Sequence, residues 1–254
     1  MVTADVNVHD VTKIAIKAGK ILLTSGAEIY RVEDTINRIC NAYKIECESF
    51  VLPTGIFITA YGSNGQTITH VKRIKERTLN IKKIEAVNAF SRSLKDYVPD
   101  YFEAMNILDS IDHDKDEYPF WFKLVATSVT AFAFALLFKG TVYESIVAAV
   151  ISAVVYFFKE RVVQVSLFPF LGFFISGIIA GGLSILSSAL ISRLNIYKII
   201  IGAIVIHLPG MAISNGIKDA LYGDITSSMN RISEAFFSVA AICAGVALAL
   251  LVFL

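Results

Sequence analysis

From Pro119 to Leu254 the chain is a succession of apolar stretches joined by short polar links, and no soluble fold can bury that much continuous apolar sequence. A segment of about 20 apolar residues is what a helix needs to cross the hydrocarbon core of a bilayer. Five such segments follow one another: 119–138, 141–158, a helix near 168–191, 196–216 and 232–254. Residues 162–192 contain no charged side chain at all. The second segment has Glu144 near its start and is only just long enough, and the fourth is interrupted at Pro209. Phe120-Trp121-Phe122 with Lys123 reads as an anchor at the membrane interface. Gly177 and Gly181 form a small-xxx-small pair suited to close contact between helices.

Residues 1–118 are of another kind, because they hold most of the Lys, Arg, Asp and Glu. The chain therefore divides into an N-terminal α+β domain, 1–118, and a membrane domain of five helices, 119–254. Residues 8–24 read as an amphipathic helix with Val11, Ile14, Ala18 and Leu22 on one stripe. In the segment 25–43, Ser25 followed by Glu28 three residues on is a capping-box pattern, and Ile29, Val32, Ile36 and Ile39 continue the apolar face. Residues 45–61 have the β-branched and aromatic content of a strand, with a bend or bulge at Pro53-Thr54-Gly55. Asn64-Gly65 is a hairpin signal, and 67–74 is the returning strand. The periodicity predicts a helix over 76–95 and another opened by Pro99. DHDKDE at 112–117 is a charged collar before the first span.

The stretch IHLPGMAISNGIKDALYGDITSSMNR, 206–231, carries the polar groups and helix breakers that are expensive at membrane depth and are kept for sites or pathways. Pro209 removes an amide donor and Gly210 tolerates unusual backbone angles, so the pair can break a helix and free backbone groups. Discontinuous helices of this kind form substrate sites in many secondary transporters, whereas a packed proline kink is the bland alternative. Asn215, Asp219 and Asp224 downstream favour the functional reading. His207 is either a proton carrier and substrate ligand or a histidine satisfied by a neighbouring carbonyl. Lys218, Asp219 and Asp224 either line an entrance or lock a loop. The expected substrate contacts are thus His207, Pro209, Gly210, Asn215, Asp219 and Asp224.

Several classes are set aside. The net charge of +1 gives no case for nucleic-acid binding. The cysteines Cys40, Cys47 and Cys243 form neither a disulfide framework nor a zinc site. No P-loop is present, so ATP hydrolysis is not expected from this chain, and no cofactor or metal is called for. The N-terminal residues lack the pattern of a signal peptide, and the loop charges weakly favour a cytoplasmic N-terminus in the plasma or inner membrane.

SGAEIYRVEDTINRI, FVLPTGIFIT and LPGMAISNGIKDALYGDITSSMNRISEA, in that order, resemble the threonine/serine exporter family from about residue 10 to the end. The positions matching its motifs are Gly26, Ala27, Glu28, Arg31, Pro53, Thr54, Gly55, Pro209, Gly210, Asp219, Gly223, Asp224 and Arg231. Ser227-Ser228 departs from the pattern, where a glycine is expected. The resemblance implies a secondary exporter of small polar metabolites, threonine or serine first, driven by the proton gradient or the membrane potential. It also implies the larger chain of a split exporter, completed by a small membrane subunit and assembled as an oligomer among membrane lipid. A split pair of this family is associated with succinate export, so a four-carbon dicarboxylate is the second substrate class. The third reading is a membrane-anchored enzyme or sensor acting through residues 1–118.

Overall fold

The computed structural model describes residues 7–62, 65–114, 118–161, 170–191 and 193–253. The chain folds into two compact units, each assembled from two pieces of sequence. One comprises Met1–Lys115 and Ser214–Arg231; the other comprises Asp116–Ile213 and Ile232–Leu254. Ser214–Arg231, which the hydropathy pattern attaches to the C-terminal half, therefore packs within the N-terminal unit.

In the N-terminal unit, α1 (Val8–Thr24) and α2 (Ile29–Ala42) lie against a three-stranded antiparallel sheet. The apolar stripe expected on α1 is buried: Val11, Ile14, Ala18 and Leu22 join Val32, Ile36 and Ile39 of α2 in one core. The strands are β1 (Glu46–Leu52), β2 (Gly55–Tyr61) and β3 (Thr67–Arg73). Val51, Ile56 and Ile58 point inward, and Phe50 opposite Phe57 points out. The continuous strand expected over 45–61 is thus two strands, and Pro53-Thr54 is the turn of a hairpin in which Leu52 pairs with Gly55. Proline has no ladder donor, which makes a reversal easier there than a bulge inside a strand. The second hairpin joins β2 to β3; Asn64 of the expected Asn-Gly turn lies outside the described residues.

The helix expected over 76–95 is α3 (Ile81–Ser93) and starts late for a visible reason. Thr78 and Asn80 donate their backbone N–H groups to Thr24 O and Ser25 O, at 2.8 and 3.1 Å. Those amides hold the α1–α2 loop, and Asn80 then caps α3 by accepting from Lys83 N. Asp100 caps α4 (Tyr101–His113) in the same manner. Lys17 and Lys20 tie α1 to Asp109 and Asp112 of α4.

The second unit contains α5 (Phe120–Leu137), α6 (Val142–Arg161), α7 (Leu171–Leu190), α8 (Ile196–Ile204), a 3-10 turn at Val205–His207, the start of α9 (Gly210–Leu221) and most of α10 (Ile225–Phe253). Among the described residues, α5, α6, α7 and α10 are each long and apolar enough to cross a membrane; α8 and α9 make a fifth candidate only if the bent pair counts as one span. The expected start of the third span at Phe168 lies outside the described residues. Gly177 and Gly181 both face α10. A Cβ on Gly177 would sit 2.3 Å from Ile242 O, and one on Gly245 would sit 2.1 Å from Phe174 O. The two backbones touch there, as small residues allow in membrane helix pairs.

Candidate functional site

The break in the fourth apolar segment is real. α8 ends at Ile204, the 3-10 turn carries the chain to His207, Leu208 is extended (φ −69°, ψ 138°), and α9 begins at Gly210. The two helix axes meet at 59°. Pro209 stands just before the first turn of α9, where a missing N–H costs nothing, and its carbonyl accepts from Ile213 N. His207 is buried, and its Nε2 has no hydrogen-bond partner among the described residues. The neighbouring-carbonyl alternative therefore does not account for that nitrogen.

The six residues expected to meet substrate divide between the two units. His207, Pro209 and Gly210 are in the membrane unit, and Asn215, Asp219 and Asp224 are in the N-terminal unit. Within the N-terminal unit Asn215 and Asp219 meet the loop between α1 and α2 that carries Gly26, Ala27 and Glu28. Gly26 takes a left-handed backbone, φ +85°, to make this reversal, which glycine tolerates without strain. Ser25 does not cap α2; it ends α1, donating its N–H to Ile21 O and Leu22 O. Glu28 occupies the N-cap position of α2 but makes no side-chain cap bond. The expected capping box is therefore absent, because its carboxylate is engaged elsewhere.

The cap comes from the other end of the chain. Asp219 Oδ1 accepts from Ile29 N at 3.3 Å, placing a carboxylate at the positive end of α2. Asn215 Nδ2 donates to Gly26 O at 2.9 Å, and Arg231 Nη2 donates to Ala27 O at 2.8 Å. The loop carbonyls that α2 cannot use are thus satisfied by α9 and α10. Arg231 Nε lies 2.9 Å from Asp219 Oδ2, with the two side chains 5% and 0% exposed. This is a close charge pair, and it is sealed from water. Lys218 Nζ bonds Glu28 Oε1 at 2.9 Å, and Arg31 Nε lies 3.2 Å from Glu28 Oε2. Tyr30 and Tyr222 stack with centroids 3.9 Å apart at the rim. Asp224 has a structural role: it caps α10 through Ser227 N after Gly223, at φ +89°, closes α9.

Pro53, Thr54 and Gly55 are placed differently. Their turn is tied to β3 through Ile74 N and Thr54 O, and Glu33 accepts from Val51 N nearby. Burial pushes the Glu33 carboxyl up, Val51 N–H opposes that, and the like charge of Asp224 adds to it. Sequence reasoning placed Glu28, Arg31 and Arg231 among motif positions without a hint that the Gly26–Glu28 loop meets α9 and α10; it read Lys218 only as lining an entrance or locking a loop, and it left Tyr30 and Tyr222 out. The one available signal was Asn215-x-x-Lys218-Asp219, a polar face at helical spacing next to an apolar run.

Glu28 supplies a pH test. Burial raises its carboxyl, while the Lys218 hydrogen bond and the Arg31 charge outweigh burial and hold it below the usual carboxylate range. A folded value below the unfolded one means that its contribution is complete above about pH 4.3 and is lost as the pH falls through the folded value. Lys218 is half exposed, which limits the pair to about 0.5 kcal/mol. Wild-type protein in detergent should melt slightly above Glu28→Gln at neutral pH, and the gap should begin to close only as the pH falls below about 4.3.

A charge-poor bundle of apolar helices with one broken segment, joined to an α+β unit, defines a multi-pass membrane protein. The chain belongs to the threonine/serine exporter family, whose model matches residues 13–253. It is 21% identical over 251 residues to a "Probable threonine/serine exporter" of Mycobacterium tuberculosis, covering 97% of this chain and 47% of that protein. It is 24% identical over 242 residues to the "Probable succinate transporter subunit YjjP" of Escherichia coli, covering 94% of this chain and 93% of that one. The chain thus spans about half the length of the first relative and nearly all of the second. No solved structure matches.

Proposed function

We propose that the chain is a subunit of a secondary exporter that carries threonine and serine out of the cytoplasm, driven by the proton gradient or the membrane potential. The observation that carries this reading is the match of an exporter family to residues 13–253. The broken segment at His207–Gly210 supports it, because half-helix ends with free backbone groups bind the charged ends of small solutes in secondary transporters. The role is transport rather than catalysis. The N-terminus is cytoplasmic, and His207, Pro209, Gly210, Asn215 and Asp219 act in the translocation cycle. Asn215 and Asp219 act by holding the Gly26–Glu28 loop, so that movement of the N-terminal unit opens and closes the pathway. A small membrane subunit completes the exporter, a reading supported by the name of the E. coli relative, a "Probable succinate transporter subunit".

The test is efflux from cells loaded with a threonine-containing peptide. Deleting the gene together with that of its small partner should leave threonine and serine trapped inside. Unchanged efflux of both would reject the substrate assignment. A second reading, export of a four-carbon dicarboxylate, is favoured by the name of the E. coli relative, and the same cells loaded with succinate address it.

A further inference from the structure

Cys40 and Cys47 do not have the spacing of a CxxC pair, yet the fold of the N-terminal unit sets them against one another. α2 stops in a Schellman reversal just after Cys40. Lys44, with a left-handed backbone at φ +59°, donates its N–H to Asn41 O at 3.0 Å, and Ile45 N donates to Cys40 O at 2.9 Å. The chain therefore turns straight back along the helix as β1. Side-chain contacts mark the alignment: Val51 N donates to Glu33 Oε1 at 3.0 Å, Ser49 Oγ to Asn37 Oδ1 at 3.3 Å, and Cys47 Sγ to Asn37 Oδ1 at 3.6 Å. Glu33, Asn37 and Cys40 share one face of α2 at helical spacing, and Val51, Ser49 and Cys47 alternate onto the inner face of β1. Cys47 thus comes opposite Cys40, and the two thiols hydrogen-bond to each other.

Their surroundings differ. Cys40 is fully buried in the core, whereas Cys47 lies on the edge strand of the sheet and is partly exposed. The Cys40 S–H stabilises the Cys47 thiolate and lowers the Cys47 thiol below its ordinary value, with burial opposing. Cys40 is pushed up, because its proton is held by Cys47 and because burial penalises its charged form. The thiolate is the reacting form of cysteine, so Cys47 is the nucleophile and Cys40 holds the second sulfur beside it.

We propose that Cys40 and Cys47 form a redox pair, which a hydroperoxide converts into a disulfide joining α2 to β1. Cys47 sulfur attacks the terminal oxygen of the hydroperoxide. An S–O bond forms, the O–O bond breaks, and the alcohol leaves with the proton given up by Cys47. Cys40 sulfur then attacks the Cys47 sulfenic acid. The S–S bond forms, the S–O bond breaks, and water leaves with the Cys40 proton. Two thiols and one hydroperoxide give one disulfide, one alcohol and one water, and a small-molecule thiol reverses the change by exchange. In a reducing cytosol the pair rests as thiols and is oxidised transiently. The inference stands apart from the exporter reading.

The test is treatment of the full chain in detergent with hydrogen peroxide, in a Cys243→Ser background that removes the third thiol. Thiols titrated after denaturation should fall from two to none, the protein should still migrate as a single chain on a non-reducing gel, and dithiothreitol should restore both thiols. Cys40→Ser should leave Cys47 as a sulfenic acid that dimedone labels, and Cys47→Ser should leave Cys40 unoxidised. Lys44 lies between the two cysteines, so trypsin places them on separate peptides. Peptide mapping of the oxidised, unsubstituted chain should find those peptides joined, which decides the matter even if a variant fails to fold. Thiols that survive oxidation, cross-links only between chains, or Cys47 lost to sulfinic acid with Cys40 still free would each overturn the proposal.

Discussion

Arg231→Met should destabilise the N-terminal unit by about 3–5 kcal/mol, because it strands the Asp219 carboxylate in a buried site. Asp219 is 1% exposed, and Arg231 is the cation beside it. The variant also removes the donor to Ala27 O. Asp219→Leu should cost a similar amount, since it leaves Arg231 buried and uncaps α2 at Ile29. The double variant should be more stable than the sum of the single losses implies, because no isolated charge remains. Thermal unfolding in detergent, followed by the loss of helical signal from α1 and α2, measures all three. Additive losses in the double variant would mean that the two side chains act independently and that the charge pair is not what joins the α1–α2 loop to α9 and α10.

Gly245→Leu should have the second large effect. A Cβ at this position would lie 2.1 Å from Phe174 O and 3.0 Å from Ile178 N, both backbone atoms of α7 that no rotamer change can move. The helices have to part, which removes the close contact along Gly177 and Gly181 as well. Overpacking alone costs about 1–3 kcal/mol in cores that can adjust, and more where backbone meets backbone. The variant should fail to accumulate in the membrane. Gly182→Leu, with no atom within 4 Å of its Cβ position, should accumulate normally and serves as the control.

The apolar stripes of α1 and α2 and the run of membrane helices were legible in the sequence because burial imposes a period that composition reveals directly. The break at Pro209 was legible too, because proline and glycine act on the backbone wherever they stand. Pro53-Thr54-Gly55 reads in the sequence as a bend or bulge within one strand and is a hairpin turn between two, since one proline serves any of these purposes and only pairing settles which. The capping box at Ser25–Glu28 failed for a different reason. Local spacing predicts a local partner, whereas the carboxylate at the start of α2 is Asp219, 190 residues away in sequence. Contacts of that range leave no periodic trace in one chain. The same holds for Glu28 with Lys218 and for Arg231 with Ala27.

The enzyme or sensor alternative places activity in the N-terminal unit alone. That unit, however, includes Ser214–Arg231 from beyond the helix break, so its loop and the segment after Pro209 cannot move independently. Uptake of labelled threonine into inverted vesicles carrying this chain and its small partner tests the central claim most directly. The account predicts saturable uptake that serine competes, that succinate does not, and that collapses when the ion gradient is dissipated. Uptake no greater than in empty vesicles, or uptake of succinate alone, would contradict it.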